Sequence, residues 1–318
     1  MTVSFFRIAR HVCYRREFQE CCGAMQTAFD RYVNSANPTI QENLKHLQQS
    51  AEWLLKCYFT AVMTQALLYG IIPATITIVR YMLAPDTVEL PPTVLEADFV
   101  FFDHRSKFWL WLLTITSSII LQFTFLTYLL ANECFHWNLL HHVSSLFQIV
   151  GLTLSQLDDC SDENTFNEKL ASIVQVHEVC YRSARLLERA LSPVMAILYC
   201  FCIFQTCVIM FIVTAVDDYL LIGMMIFVLN YTVFLIFSFS MLGTELTEKS
   251  LSISDAVYNM KWYERSTSQQ RLLLLIQRRS QKACTISAGN FFLITRATFA
   301  GAMQSAFSYF TIMRRFYD

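Results

Sequence analysis

Few residues in this chain are of a type and spacing that could do chemistry. His177 and Glu178 open an H-E-x-x-H pattern, in which two histidines one helical turn apart would hold zinc, but Tyr181 stands where the second ligand belongs. A helix face, packed or solvated, is the reading left for them. His136, His141 and His142 sit just past an apolar run and suit a helix face or a membrane interface. With 7 glycines in all there is no loop to cradle a phosphate. The 11 cysteines are odd in number and, on the topology below, none falls in an outer loop, so a disulfide framework is not expected. A net charge of −1 with no basic tract argues against a nucleic-acid partner. No catalytic residue, metal or cofactor is expected. What remains is a hydroxyl stripe, Ser305, Ser308 and Thr311, with Gln304 beside it, in an otherwise apolar closing helix. Such a stripe lines a polar path through a membrane, or only lets helices approach closely.

The elements that must position it are membrane helices. The chain is 55% hydrophobic and 15% charged, against roughly 25% charged for a soluble domain. The expected fold is all-α: a polytopic membrane protein of five transmembrane helices with cytosolic helical extensions. Residues 1–56 read as two amphipathic helices interrupted at Asn37-Pro38. Residues 57–313 form the bundle, with spans at 57–83, 107–131, 194–216, 219–242 and 297–313. Pro73 should kink the first span, and Trp109 and Trp111 should anchor the second at an interface. Between the first two lies an acidic loop with a Pro-Pro pair. Residues 132–192 continue at helical period on both sides of a polar break, as an antiparallel hairpin. Asp217-Asp218 is a tight turn. The basic segment 243–296 holds a predicted capping box, Ser266 with Gln269, and its short basic helix is expected to pass without a loop into a closing helix from Ile286 to Met313. A charge at the bilayer centre is costly, so either Arg296 lines an aqueous path or that helix begins below the membrane; the second reading is preferred, with 314–318 left as a tail.

Lys and Arg outside the spans divide 18 against 3, which puts the N-terminus inside and the C-terminus outside. Aromatic and methionine side chains, Tyr69, Trp109, Met225 and Phe227 among them, are dense in the outer halves of the spans. They face lipid or pack, or they converge on an apolar pocket for small volatile or lipophilic molecules.

The stretches GTELTEKSLSISDAVYNMKWYE and RLLLLIQRRSQKACTISAGNFFLITRATFAGAMQSAFSYFTIM resemble the C-terminal region of insect odorant receptors, with a Y-x-x-x-W element at Tyr258 and Trp262 and an S-Y-F tripeptide at Ser308 to Phe310. The loop around Leu90-Pro91 is similar to that family's second outer loop. The resemblance implies a ligand-binding subunit of an odorant-gated, non-selective cation channel. It would be a heterotetramer with the odorant receptor co-receptor, in the plasma membrane of olfactory sensory neurons. It also implies that Tyr258 and Trp262 belong to a cytosolic subunit anchor and Ser305, Ser308 and Tyr309 to the pore. Tyr69, Trp109, Met225 and Phe227 become candidates for the ligand pocket. The family has seven spans and this sequence shows five, its first 56 residues resembling the inner loop before the third span. A gustatory-type chemoreceptor and a truncated, non-conducting receptor fragment are the alternatives. The closing helix has Ala297-Thr298-Phe299 and lacks the gustatory T-Y-x-x-x-x-x-Q-F pattern.

Overall fold

The computed structural model describes residues 12–33, 38–83, 108–160 and 162–317. The acidic loop with Leu90-Pro91 and the break at Asn37 lie outside the described residues. The helices are α1 (Arg15–Val33), α2 (Pro38–Ala66), α3 (Ile72–Leu83), α4 (Phe108–Ser155), α5 (Glu163–Ala215), α6 (Tyr219–Asn259), α7 (Thr267–Ser280) and α8 (Arg296–Tyr317). The sheet among the described residues is one antiparallel pair, β1 (Ser287–Ala288) with β2 (Phe292–Leu293). Helices Phe108–Asp158, Glu163–Ala215 and Leu221–Asn259 are long and apolar enough to cross a membrane, and Ile72–Leu83 is a shorter apolar helix.

Two compact units are distinguished. One contains residues up to Glu52, His136–Phe211 and the chain from Thr232; the other contains Trp53–Phe135 and Ile212–Tyr231.

Local chemistry explains where the helices break. Pro73 has no N–H and its ring crowds the carbonyl four residues earlier, so the chain widens into a π-helical turn, Leu67–Ile71, and the Ile72 N–H bonds to the Leu67 carbonyl. At the turn between α4 and α5, Asp162 caps α5 by accepting the Thr165 N–H at 2.9 Å. The Thr165 hydroxyl also donates to this carboxylate, at 2.6 Å, and the hydroxyl and N–H bonds together hold the exposed Asp162 carboxyl below its ordinary range. Arg265 binds the same turn, donating to the carbonyls of Cys160, Leu157 and Asp158 at 3.1–3.3 Å while its guanidinium lies over the Phe166 ring. The capping box expected at Ser266 and Gln269 is formed.

The segment before α8 departs from expectation. The basic helix does not run into the closing helix, because residues 281–295 form a loop carrying the β1–β2 ribbon and α8 begins at Arg296. Gly289 and Asn290 both adopt a φ of 61°, the left-handed pair that a tight hairpin needs and that ends any helix. The ribbon is held tightly by α5. Ser287 donates its N–H to Glu188 at 2.8 Å and shares a hydroxyl bond with Ser192 at 2.8 Å. The Gly289 N–H reaches the Ser192 carbonyl at 2.8 Å. On α6, a Cβ at Gly243 would stand 2.3 Å from the Ile294 carbonyl oxygen, and one at Gly289 would stand 2.9 Å from the Ala196 Cβ. Backbone approaches side-chain-free backbone at the first of these positions.

α5 also packs on α7 through a buried polar group. His177, 6% exposed, lies 3.2 Å from the Ser280 hydroxyl oxygen. That hydroxyl donates its proton to the Ile276 carbonyl, so His177 Nε2–H is the donor. Tyr181 meets His177 edge-on and carries the Arg279 guanidinium over its face at 3.6 Å. Burial, with Arg279 nearby, pushes the His177 pKa down to about 4.

Two predictions follow from this packing. Gly243→Ala drives a methyl into the Ile294 carbonyl and should cost about 1–3 kcal/mol, whereas Gly151→Ala, with open space around it, should be neutral or stabilising by up to about 1 kcal/mol; thermal unfolding of the two variants in detergent decides. For His177 the unfolded chain takes up a proton below its ordinary pKa of 6.5 while the folded chain waits until about 4. Stability is therefore full above that upper value and falls as the pH drops through the window. The loss should be about 2 kcal/mol at about pH 5, and His177→Gln should flatten this slope.

Candidate functional site

α8 is laid out by a threonine pair. Thr295 donates its N–H to the Thr298 hydroxyl at 2.8 Å and accepts the Thr298 N–H at 3.3 Å, a reciprocal cap. Arg296 is consequently the first helical residue and not an interior charge. Its N–H bonds to the Thr244 hydroxyl at 3.0 Å and its guanidinium lies 3.8 Å from the Glu248 carboxylate. From that start the helix presents Ala302, Ala306 and Phe310, one stripe at i, i+4 and i+8, to the interior. Two of the three are alanine, which brings the α8 backbone close to its neighbours.

The rest of the helix surface exposes Gln304, Ser305, Ser308, Tyr309 and Thr311, with the apolar Phe307 and Ile312 among them. Their hydroxyls turn back on the helix: Ser305 to the Gly301 carbonyl at 2.9 Å, Ser308 to Gln304 at 2.9 Å and Thr311 to Ser308 at 2.7 Å. The stripe therefore makes no polar contact that would explain it as packing within this chain. Its oxygens keep acceptor capacity directed outward.

Tyr258 and Trp262 flank the end of α6. Tyr258 is 70% exposed and Trp262 is on a 3-10 turn, Trp262–Glu264, fixed from behind by Arg265. Tyr263, Leu274 and Leu275 are also exposed, while Leu273 and Ile276 face inward. Exposed aromatic and aliphatic side chains therefore stand along a well-tied segment, with Trp262 and Tyr263 in edge contact. Lys261, whose N–H bonds to Asp158, closes the same corner.

The four pocket candidates all fall in the unit of Trp53–Phe135 and Ile212–Tyr231. Tyr69 has its backbone in the π turn, and its side chain lies outside the described residues. Met225 and Phe227 are half-buried on α6. Trp109 is 77% exposed, whereas Trp111 is fully buried with Ala74 and Ile115. Phe108 stacks on Tyr81 at 3.9 Å beside them. Gly70 brings the π turn against Gln122 and Ile119 of α4. A pairing that sequence reading missed joins Tyr58 of α2 to Tyr231 of α6 by their hydroxyls. They are 173 residues apart, and no periodic pattern links them. Tyr58 is fully buried, so this pair places a hydroxyl contact in the interior of that unit, which also buries Thr77, Thr114 and Ser118.

Among the described residues no group of His, Cys, Asp and Glu could hold a metal. Burial raises the thiols of Cys180 and Cys284, the latter to about 11, which leaves both protonated and inert at neutral pH.

The family model described as 7tm Odorant receptor matches residues 1–307. Odorant receptor 10 of Aedes albopictus is 30% identical over 112 residues, 35% of this chain and 30% of that protein. Odorant receptor 67c of Drosophila melanogaster is 27% identical over 173 residues, 54% of this chain and 43% of that protein. The odorant receptor coreceptor of Aedes aegypti is 31% identical over 85 residues, 27% of this chain and 18% of that protein. The chain thus matches less than half the length of each of these relatives. In fold it is similar to olfactory receptor OR5 of Machilis hrabei in complex with eugenol, with a TM-score of 0.80 at 16% identity, over 99% of this chain and 78% of that one. The predominantly helical architecture, the membrane-length helices and a family match across nearly the whole sequence make this chain a multi-pass membrane protein belonging to the 7tm odorant receptor family.

Proposed function

We propose that the chain is a ligand-binding subunit of an odorant-gated, non-selective cation channel, assembled with the odorant receptor co-receptor in the plasma membrane of olfactory sensory neurons. The observation that carries the reading is the two-faced last helix, with alanines and Phe310 turned inward and Ser305, Ser308 and Tyr309 turned outward. A face of hydroxyls already bonded to their own carbonyls is cheap to keep beside lipid or water and supplies acceptor oxygens to passing cations. In an assembly, such faces from several subunits enclose a path.

The same reading assigns five spans, at 57–83, 107–131, 194–216, 219–242 and 297–313, with the N-terminus inside and the C-terminus outside. The 18-to-3 division of Lys and Arg supports that orientation. Tyr258 and Trp262, with the exposed Leu274 and Leu275, form the subunit anchor, since exposed aromatics on a rigid segment suit an interface. The ligand pocket lies in the unit holding Tyr69, Trp109, Met225 and Phe227, where apolar side chains and the Tyr58–Tyr231 hydroxyl pair offer shape and one polar contact to a small volatile or lipophilic molecule. The similarity to a receptor solved with eugenol, a small aromatic alcohol, supports a ligand of that kind.

Expression in cells with the co-receptor should give odour-evoked cation current, and Tyr231→Phe should shift responses to hydroxyl-bearing ligands more than to hydrocarbons. Silence across a broad odour panel, with the protein at the cell surface, would favour a non-conducting form.

A further inference from the structure

A cleft of about 900 Å³ opens between α1 and α5, lined by Glu17 and Glu20 on one wall and by Glu178, Arg182, Arg185 and Arg189 on the other. The two helices are antiparallel. Arg31 bonds to Gln175 at 3.0 Å near one end, and Glu20 bonds to Arg182 at 3.3 Å further along. Continuing that register brings the exposed Arg15 and Arg16, at the start of α1, toward Arg185 and Arg189. Three arginines and three glutamates line the cleft: by this register Arg185 and Arg189 stand at one end with Glu17 on the facing wall, Glu20 pairs with Arg182 in the middle, and Glu178 stands at the other end.

The arginine end faces the apolar half of α5. Arg189 lies about 6 Å, Arg185 about 12 Å and Glu178 about 22 Å along the axis from Pro193, which heads the apolar run to Ala215. A headgroup layer is roughly 5–7 Å deep on each side of the hydrocarbon. Arg189 is thus level with lipid phosphodiesters. Arg185 stands beyond them, where only a headgroup that projects from the membrane surface can reach. Arginine matches phosphate with paired N–H donors.

We propose that this cleft binds the phosphorylated inositol headgroup of a membrane phosphoinositide. The phosphodiester rests at Arg189 and the ring phosphates reach Arg185 and the Arg15–Arg16 end of α1. Glu20 neutralises Arg182, and Glu178 stops anions from passing deeper. A serine headgroup, which ends at the level of Arg189, leaves Arg185 unused. The proposal rests on the reading of the apolar half of α5 as a membrane span with the cleft on its cytosolic side.

The test uses the full chain in lipid nanodiscs containing either phosphatidylinositol bisphosphate or phosphatidylserine at matched total charge, with bound lipid read by native mass spectrometry. Arg185→Gln should lower phosphoinositide retention about fivefold and leave phosphatidylserine retention, which does not use this residue, unchanged. Glu17→Gln, which removes an acid from the facing wall, should raise it. Equal retention by parent and arginine variant overturns the proposal, as does equal retention of phosphatidylserine, or binding of soluble inositol trisphosphate as tight as that of the lipid. A chain that fails to enter the bilayer overturns the span reading itself, and the proposal with it.

Discussion

The ribbon before the last helix can sit where it does only because Gly243 has no side chain. The Ile294 carbonyl occupies the space a Cβ would fill, and at Gly289 the backbone turns through a φ of 61° against Ala196 of α5. Around these two contacts, Glu188 and Ser192 take up the polar groups of the turn. α8 then starts at one defined residue, Arg296, because Thr244 and Glu248 of α6 hold it there. The rotation of α8 about its own axis follows from that start. Which residues face inward and which face outward is therefore fixed several residues upstream, at a turn that contributes nothing to the hydroxyl stripe.

Low charge content shapes the rest. With few ion pairs to draw on, the described residues rely on hydroxyls that bond to carbonyls three or four residues earlier, a habit repeated along α4, α6 and α8. Such bonds satisfy the side chain without a partner helix, so they leave helix faces free to meet lipid or another subunit. The exceptions are concentrated where helices must be tied together: Arg265 on the α4–α5 turn, Glu188 on the ribbon, and His177 against Ser280. All three lie in the unit that also carries α8.

Much of the helical order was legible in the sequence. The apolar period from Leu139 to Leu157 and again from Leu170 to Leu187 foretold a helical pair joined at a polar turn, and α4 and α5 run through those stretches. Ser266 with Gln269 foretold its cap. The ribbon was not foreseen, although Gly289-Asn290 between Ile286 and Phe292–Ile294 is a hairpin signal of ordinary kind; the apolar residues around it fit a helix as well as two short strands. Thr295-x-x-Thr298 likewise marks the true helix start. Contacts between distant residues left no local trace. Tyr58 with Tyr231, Gly243 with Ile294 and Arg265 with the α4–α5 turn depend on tertiary placement that no window of sequence contains. Trp109 and Trp111, two positions apart and so on opposite sides of one helix, differ completely in burial, and only tertiary placement decides which of the two faces inward.

The central claim is that the hydroxyl face of α8 borders an aqueous path shared between subunits while the alanine face is packed. Cysteine substitution along 301–311, with a water-soluble thiol reagent applied to the co-expressed channel during odour stimulation, tests it most directly. Modification at Ser305 and Ser308, with protection at Ala302 and Ala306, would change the current at helical period and is the predicted result. Modification with no period, or protection at Ser305 and Ser308 together with reaction at Ala306, would contradict it.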